Sequence, residues 1–269
     1  MKMKRLILVF GILQCMRPVF SEQIGMKTGS ASCIVETVGA RVVSFKAKGG
    51  EDVLWNADPV QLTDAKWAHG GLPVCWPWFG DGSRADIHGT AWRAPFEIVS
   101  RKERKEQSEL VLARNEGDLR LEYAIVLRDA LELVLKTTNR GTSNIVLSAA
   151  FHPYFQIGDR DGVEIEGVGP KALRLTRAMD DAYPVQSGAH AVCRLHDRLL
   201  GRTILISFAQ ATEVNVWNPG GGRNYPGTIP GDEWRRFVCI EPALGEASKA
   251  VCLQAGESVS LTMSIGMCR

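Results

Sequence analysis

The chain carries almost no helical signal: no stretch of eleven or more residues shows an amphipathic stripe. It also lacks an apolar run of membrane-span length, a Pro/Ser-rich linker and an internal repeat, which argues against a helical membrane span, a tethered multidomain chain and a repeat array. Charge of either sign is not in excess. The 32 basic and 30 acidic side chains leave a net charge of +2, which gives no reason to expect a nucleic-acid partner. The densest basic stretch, Arg101 to Lys105, is broken by Glu103, followed by Glu106, and reads as a solvated strand end or turn. Seven cysteines stand at irregular positions (15, 33, 75, 193, 239, 252 and 268) with no CxxC pair. That spacing argues against a structural zinc site. Cys75, Cys193 and Cys239 lie in apolar runs and read as small hydrophobes; if the protein is exported, some cysteines could pair.

What remains is a chain of 269 residues, 45% apolar and 23% charged, suited to one large domain. At this length roughly 70–75% of the unfolded surface can be buried without disulfide support. Residues 1–21 read as a leader: Lys2, Lys4 and Arg5 precede the apolar run Leu6 to Cys15, and Val19 and Ser21 are small residues at a cleavable site. Removing them leaves 28 basic and 30 acidic side chains in a single domain over 22–269. Export follows if the leader functions; otherwise the expected location is cytoplasmic. No stable membrane insertion is expected after cleavage, and a monomer is.

Short alternating runs dominate. Strands are expected at Ala31–Glu36, Arg41–Ala47, Pro95–Arg101, Glu109–Arg114, Leu119–Arg128 and Ala130–Asn139, the last two forming a hairpin. Others are expected at Asn144–Phe151, Gly162–Glu166, Ala189–Leu195, Thr203–Phe208, Thr212–Trp217, Arg236–Ile240 and Glu257–Ile265. One helical turn fits Asp232 to Arg236. The fold class is therefore all-β, a large β-sandwich. The longest stretch without periodicity, Pro59 to Ala91, has a length that suggests function.

Within that stretch, Trp76 and Trp78 offer flat faces on which sugar C–H groups stack, or equally a core plug. His88–Gly89 precedes a strand. Phe151-His152-Pro153-Tyr154-Phe155 ends another, with an imidazole that is either tuned by burial or simply satisfied in the core. Glu241, after the apolar run ending at Ile240, is the sharpest oddity, because a carboxylate there is costly unless paired or functional. Asp180 and Tyr183 fall between expected strands. One acid and one base suffice to move a proton between a hydroxyl and a ring oxygen, but 89 positions separate His152 from Glu241, so only the fold can join them.

GGLPVCWPWFG at 70–80, HG at 88–89, FHPYFQIGD at 151–159, and VNVWNP with GDEWRRFVCIEP across 214–242 together resemble the hexose-phosphate mutarotase branch of the aldose 1-epimerase superfamily. GARVVSFKAKGGEDVLW at 39–55 resembles that family's opening strands. The resemblance implies a galactose mutarotase-like β-supersandwich and interconversion of the α and β anomers of a hexose or hexose 6-phosphate. It implies His152 as acid and Glu241 as base, reaching one pyranose from opposite sides. It implies His88 and Asp180, the latter with Tyr183, as sugar-binding groups, and neither cofactor nor metal. Phosphate-handling members carry Arg just before GG and four positions after the HG histidine; here those positions are His69 and Trp92, with Arg93 one place late. Arg93 or Arg84 could compensate, and a substrate without phosphate stays open. The substrate-binding set is therefore His88, Asp180, Arg93, His69 and Trp78. A non-catalytic carbohydrate-binding sandwich is the rival of a different class.

Overall fold

The computed structural model describes residues 21–268 apart from residue 48 and segments 58–68, 81–86, 187–188, 222–228 and 246–249. Except for Ser21, the expected leader lies outside the described residues, as does Arg84. In chain order the strands are β1 (Gln23–Lys27), β2 (Ala31–Glu36), β3 (Val42–Ala47), β4 (Val74–Cys75), β5 (Glu97–Glu103) and β6 (Ser108–Glu116). There follow β7 (Leu119–Leu127), β8 (Leu131–Asn139), β9 (Ile145–Leu147), β10 (Ala149–Phe151), β11 (Tyr154–Gln156), β12 (Val163–Glu166) and β13 (Met179–Pro184). The last are β14 (His190–Asp197), β15 (Arg202–Ala209), β16 (Glu213–Asn218), β17 (Phe237–Leu244), β18 (Val251–Leu253) and β19 (Ser258–Met267). Helix is confined, among the described residues, to three 3-10 turns, one of them at Glu233–Arg236, where the sequence suggested a turn. No helix among them is long and apolar enough to cross a membrane.

An eight-stranded antiparallel sheet, ordered β12-β14-β15-β19-β8-β7-β6-β5, backs the molecule. Its central strands β7 and β8 alternate strictly. Leu119, Leu121, Tyr123, Ile125 and Leu127 of β7 face inward, as do Leu131, Leu133 and Leu135 of β8. Burying each such leucine stabilises the fold by roughly 1.5–3 kcal/mol. Opposite lies the six-stranded sheet, β13-β16-β17-β10-β4, with β11 also pairing β17. Val214, Val216, Val238, Ile240 and Phe151 on one of its faces join the shared core. Its other face carries separate clusters, Cys75, Phe79, Trp92, Ala150 and Ala243 toward one end and Trp55, Tyr154, Phe237 and Cys239 toward the other. That second face is the floor of the candidate site.

Several expectations need correction. Asn144–Phe151 is not one strand: β9 pairs β18, whereas β10 belongs to the six-stranded sheet. Asp180 and Tyr183 lie within β13 rather than between strands. Glu241 does not follow its strand but sits inside β17, all eight residues of which are buried. Trp76 is core: it is fully buried, and its indole N–H donates to Thr137 Oγ1 at 3.0 Å across to the other sheet. All six described cysteines are free thiols, with Cys252 and Cys268 exposed.

Candidate active site

β17 is the spine of the site. On one side it pairs with β16, placing Asn215 beside Glu241 and Trp217 beside Cys239. On the other side β10 covers Ala243 and Leu244 while β11 covers Phe237 to Cys239. The break between β10 and β11 is His152–Pro153, so Glu241 faces the gap that His152 fills. The next segment closes the gap, with His152 N–H donating to Pro73 O at 3.0 Å and Tyr154 N–H to Gly71 O at 2.8 Å. Two glycines permit its approach. At Gly71 (φ +66°) a Cβ would lie 2.5 Å from Val42 O, so only glycine fits there.

The result is near contact between His152 Nε2 and Glu241 Oε1, 3.5 Å apart, with 4% and 1% of the two residues exposed. They stand side by side, not on opposite sides of a sugar-sized space. His88 completes a second layer. It is left-handed (φ 61°), an unusual conformation for a residue with a Cβ, and is followed by left-handed Gly89. Its Nδ1 accepts from Gly80 N–H at 3.2 Å, and its ring meets that of His152 edge-on at 5.2 Å and stacks on Phe79 at 5.3 Å. With Nδ1 accepting, a neutral His88 carries its proton on Nε2. His69 shares a 2.9 Å hydrogen bond between Nδ1 and Tyr154 Oη and lies parallel to Trp217 at 6.0 Å. Tyr154 in turn stacks on His152 at 4.9 Å.

Asp180, at the exposed mouth, lies on the same face as Asn215 and accepts from Asn215 Nδ2 at 3.1 Å. Asp181 is turned to the other face and pairs with Arg177 at 2.5 Å. Arg93 stands one layer out, its guanidinium 5.5 Å from the centre of the Trp92 ring, and Trp92 packs with Phe79. Trp78 is half-buried. The rings that gather around His152 are His88, Tyr154 and Trp217. Sequence reasoning did not single out Asn215, Trp217, Tyr154 or Cys239 as site residues. The alternation of Val214 and Val216 with Asn215 and Trp217 is the signal that one face of β16 is not core.

Burial dominates the electrostatics. It pushes His152 well below the usual imidazole range, helped by the charges His88 and His69 would carry. It likewise brings His69 down to about 4 and His88 down to about 3. Burial pushes the Glu241 carboxyl well up; Asp180 adds to this, and a hydrogen bond from Asn215 opposes it. All three imidazoles are thus neutral at neutral pH. Burial thus favours the neutral form of both partners, and passing a proton from the carboxyl to the imidazole, whose heavy atoms are 3.5 Å apart, would create carboxylate and imidazolium without exchange with water.

The aldose 1-epimerase family model matches residues 22–266. The chain belongs to the aldose 1-epimerase family. Among curated relatives, a Salmonella typhimurium protein provisionally named glucose-6-phosphate 1-epimerase is 24% identical over 248 residues, covering 84% of each chain. A Cenchrus ciliaris protein with the same provisional name is 26% identical over 264 residues, 85% of this chain and 80% of that one. Among solved structures, a provisionally assigned mutarotase of Salmonella typhimurium superposes with a TM-score of 0.78 at 23% identity, covering 93% of this chain and 91% of that one. A galactose mutarotase-like protein of Clostridium acetobutylicum superposes at 0.69 with 13% identity, covering 93% and 98%. The fold of this aldose 1-epimerase family member is therefore the all-β, galactose mutarotase-like sandwich.

Proposed function

We propose that the chain interconverts the α and β anomers of a hexose, with His152 and Glu241 carrying the protons. The observation that supports this is their near contact at 3.5 Å on a buried sheet face. The anomeric oxygen and the ring oxygen of a pyranose are bonded to the same carbon. An acid and a base that serve both must therefore be neighbours, as these are. Glu241, as carboxylate, takes the proton from the anomeric hydroxyl. His152, as imidazolium, gives one to the ring oxygen while the C1–O5 bond breaks. The aldehyde turns about C1–C2 and the ring recloses with both transfers reversed, so each group regains its starting state.

In this reading the sugar's orientation follows from which oxygen meets which side chain. With O1 at Glu241 and O5 at His152, the 2-hydroxyl would lie toward Asn215 and Asp180, the neighbours of Glu241, and C6 would lie past His152 on the side of His88, Trp92 and Arg93. Hexose 6-phosphate is the substrate we propose, by analogy with the relatives' names, with Arg93 on the side of the phosphate. A second reading, an unphosphorylated aldose, is favoured by His69, which is neutral at pH 7, and by Trp92, which is buried with its indole N–H donated to Gly89 O at 3.0 Å. Neither supplies the cation a phosphate needs.

Anomer exchange measured by NMR or polarimetry on glucose 6-phosphate and glucose tests both. His152→Ala and Glu241→Gln should each lower the rate by about 10²–10⁴-fold while remaining folded. Near-normal rates in both variants would refute the assignment. Arg93→Ala should lower kcat/KM for the phosphorylated sugar alone; equal wild-type rates on both sugars favour the second reading.

A further inference from the structure

Cys239 lies two residues before Glu241 on the same face of β17, fully buried and a free thiol. One donor atom each from His152, Cys239 and Glu241 lie within 4.8 Å of one another. We propose that these three side chains form a site for a thiophilic divalent cation, Zn²⁺ or Cd²⁺, which blocks the sugar site when bound. One imidazole, one thiolate and one carboxylate, with a fourth position left for water, is a good donor set for zinc. Ligand edges in tetrahedral zinc sites are about 3.3–3.8 Å, as bond lengths of about 2.0–2.3 Å dictate. The 3.5 Å His152–Glu241 edge already matches, and the sulfur needs to close by about 1 Å.

A second observation points the same way. Glu241 Oε1, fully buried, receives no hydrogen bond among the described residues. Negative charge on that oxygen would be buried with no donor of its own, which is costly, and Asp180 nearby adds to that cost. A dication held by a carboxylate and a thiolate makes a neutral complex and removes the penalty. Binding releases the thiol proton, and the carboxyl proton when present, to solvent; no oxidant or reductant is involved. Affinity should therefore rise with pH.

The effect on turnover rests on the proposed roles of His152 and Glu241; binding of the metal does not, so the two are read separately. The full chain is used with Cys15, Cys252 and Cys268 replaced by Ser to silence the outlying thiols, and is titrated with Cd²⁺ while the ultraviolet thiolate-to-metal absorption is followed. One equivalent should bind, and glucose 6-phosphate and glucose should each be tried as competitors. Cys239→Ala should abolish the band, and Cys75→Ala should retain it. Glu241→Gln should keep the band but weaken affinity more than about 100-fold. Zn²⁺ should slow anomer exchange at the concentration at which it displaces Cd²⁺. A band that survives Cys239→Ala, or Glu241→Gln binding as tightly as wild type, overturns the site. If the band behaves as expected but no anomer exchange is seen in metal-free protein, the epimerase reading fails and the metal site stands.

Discussion

His69 should make this protein acid-sensitive by an amount that can be isolated. Burial lowers its folded-state pKa from 6.5 to about 4. Between those values the unfolded chain holds a proton on His69 that the folded chain does not, so stability rises with pH across that window and is lost as pH falls through it. At about pH 5 the loss attributable to this one side chain is about 2 kcal/mol, approaching about 3 kcal/mol near pH 4. Other groups titrate too, and Glu241, with its raised pKa, works in the opposite sense. The informative quantity is therefore a difference. Urea unfolding of wild type and His69→Gln at a series of pH values should give curves that diverge below about pH 6.5, with wild type losing about 2 kcal/mol more than the variant by about pH 5. Glutamine cannot take up the proton. Parallel curves would show that His69 titrates normally in the folded protein and that the neutral, desolvated cleft is wrong.

Glu241 should respond to its two polar neighbours in opposite directions. Asn215→Leu removes the hydrogen bond that holds the carboxyl down, so the alkaline limb of the anomer-exchange pH profile, where the singly protonated pair loses its proton from the carboxyl, should move up, whereas Asp180→Asn should move it down. Shifts of the same sign in both variants would contradict this. Gly89→Ala places a Cβ 2.1 Å from Trp76 O in a backbone with φ +78°, so it should cost about 1–3 kcal/mol in thermal or urea unfolding and displace His88. Trp76→Ala should cost about 3–5 kcal/mol by the same measurement, since it opens a core cavity and orphans Thr137, and wild-type stability would return Trp76 to the cleft.

The eight-stranded sheet was legible because β6, β7, β8, β15 and β19 each put one face in the core and one near solvent, and alternation records that. The six-stranded sheet was much less so. β17 is buried on both faces and shows no alternation, so the apolar run that marks it in the sequence stops one residue before Glu241. β13 reads Met-Asp-Asp-Ala-Tyr-Pro; it is an edge strand held by pairing with β16 and has no apolar rhythm of its own. β4 is two residues long, set in a Pro- and Trp-rich run. The titratable residues of the site stood out as oddities of burial and flank. Their arrangement did not, because distance across a sheet depends on register, and only the register of β16 against β17 brings Asn215 to Glu241.

Because Glu241 hangs from the strand whose opposite face contributes Val238 and Ile240 to the core, packing and chemistry share one backbone. Removing a methyl group at Ile240 should let that backbone settle and carry the carboxylate with it. Under the proposed role of Glu241, melting temperature and turnover should then vary together along β17. Efforts to toughen the protein have more freedom in the outer face of the eight-stranded sheet, where a change in side chain leaves the floor of the cleft where it is.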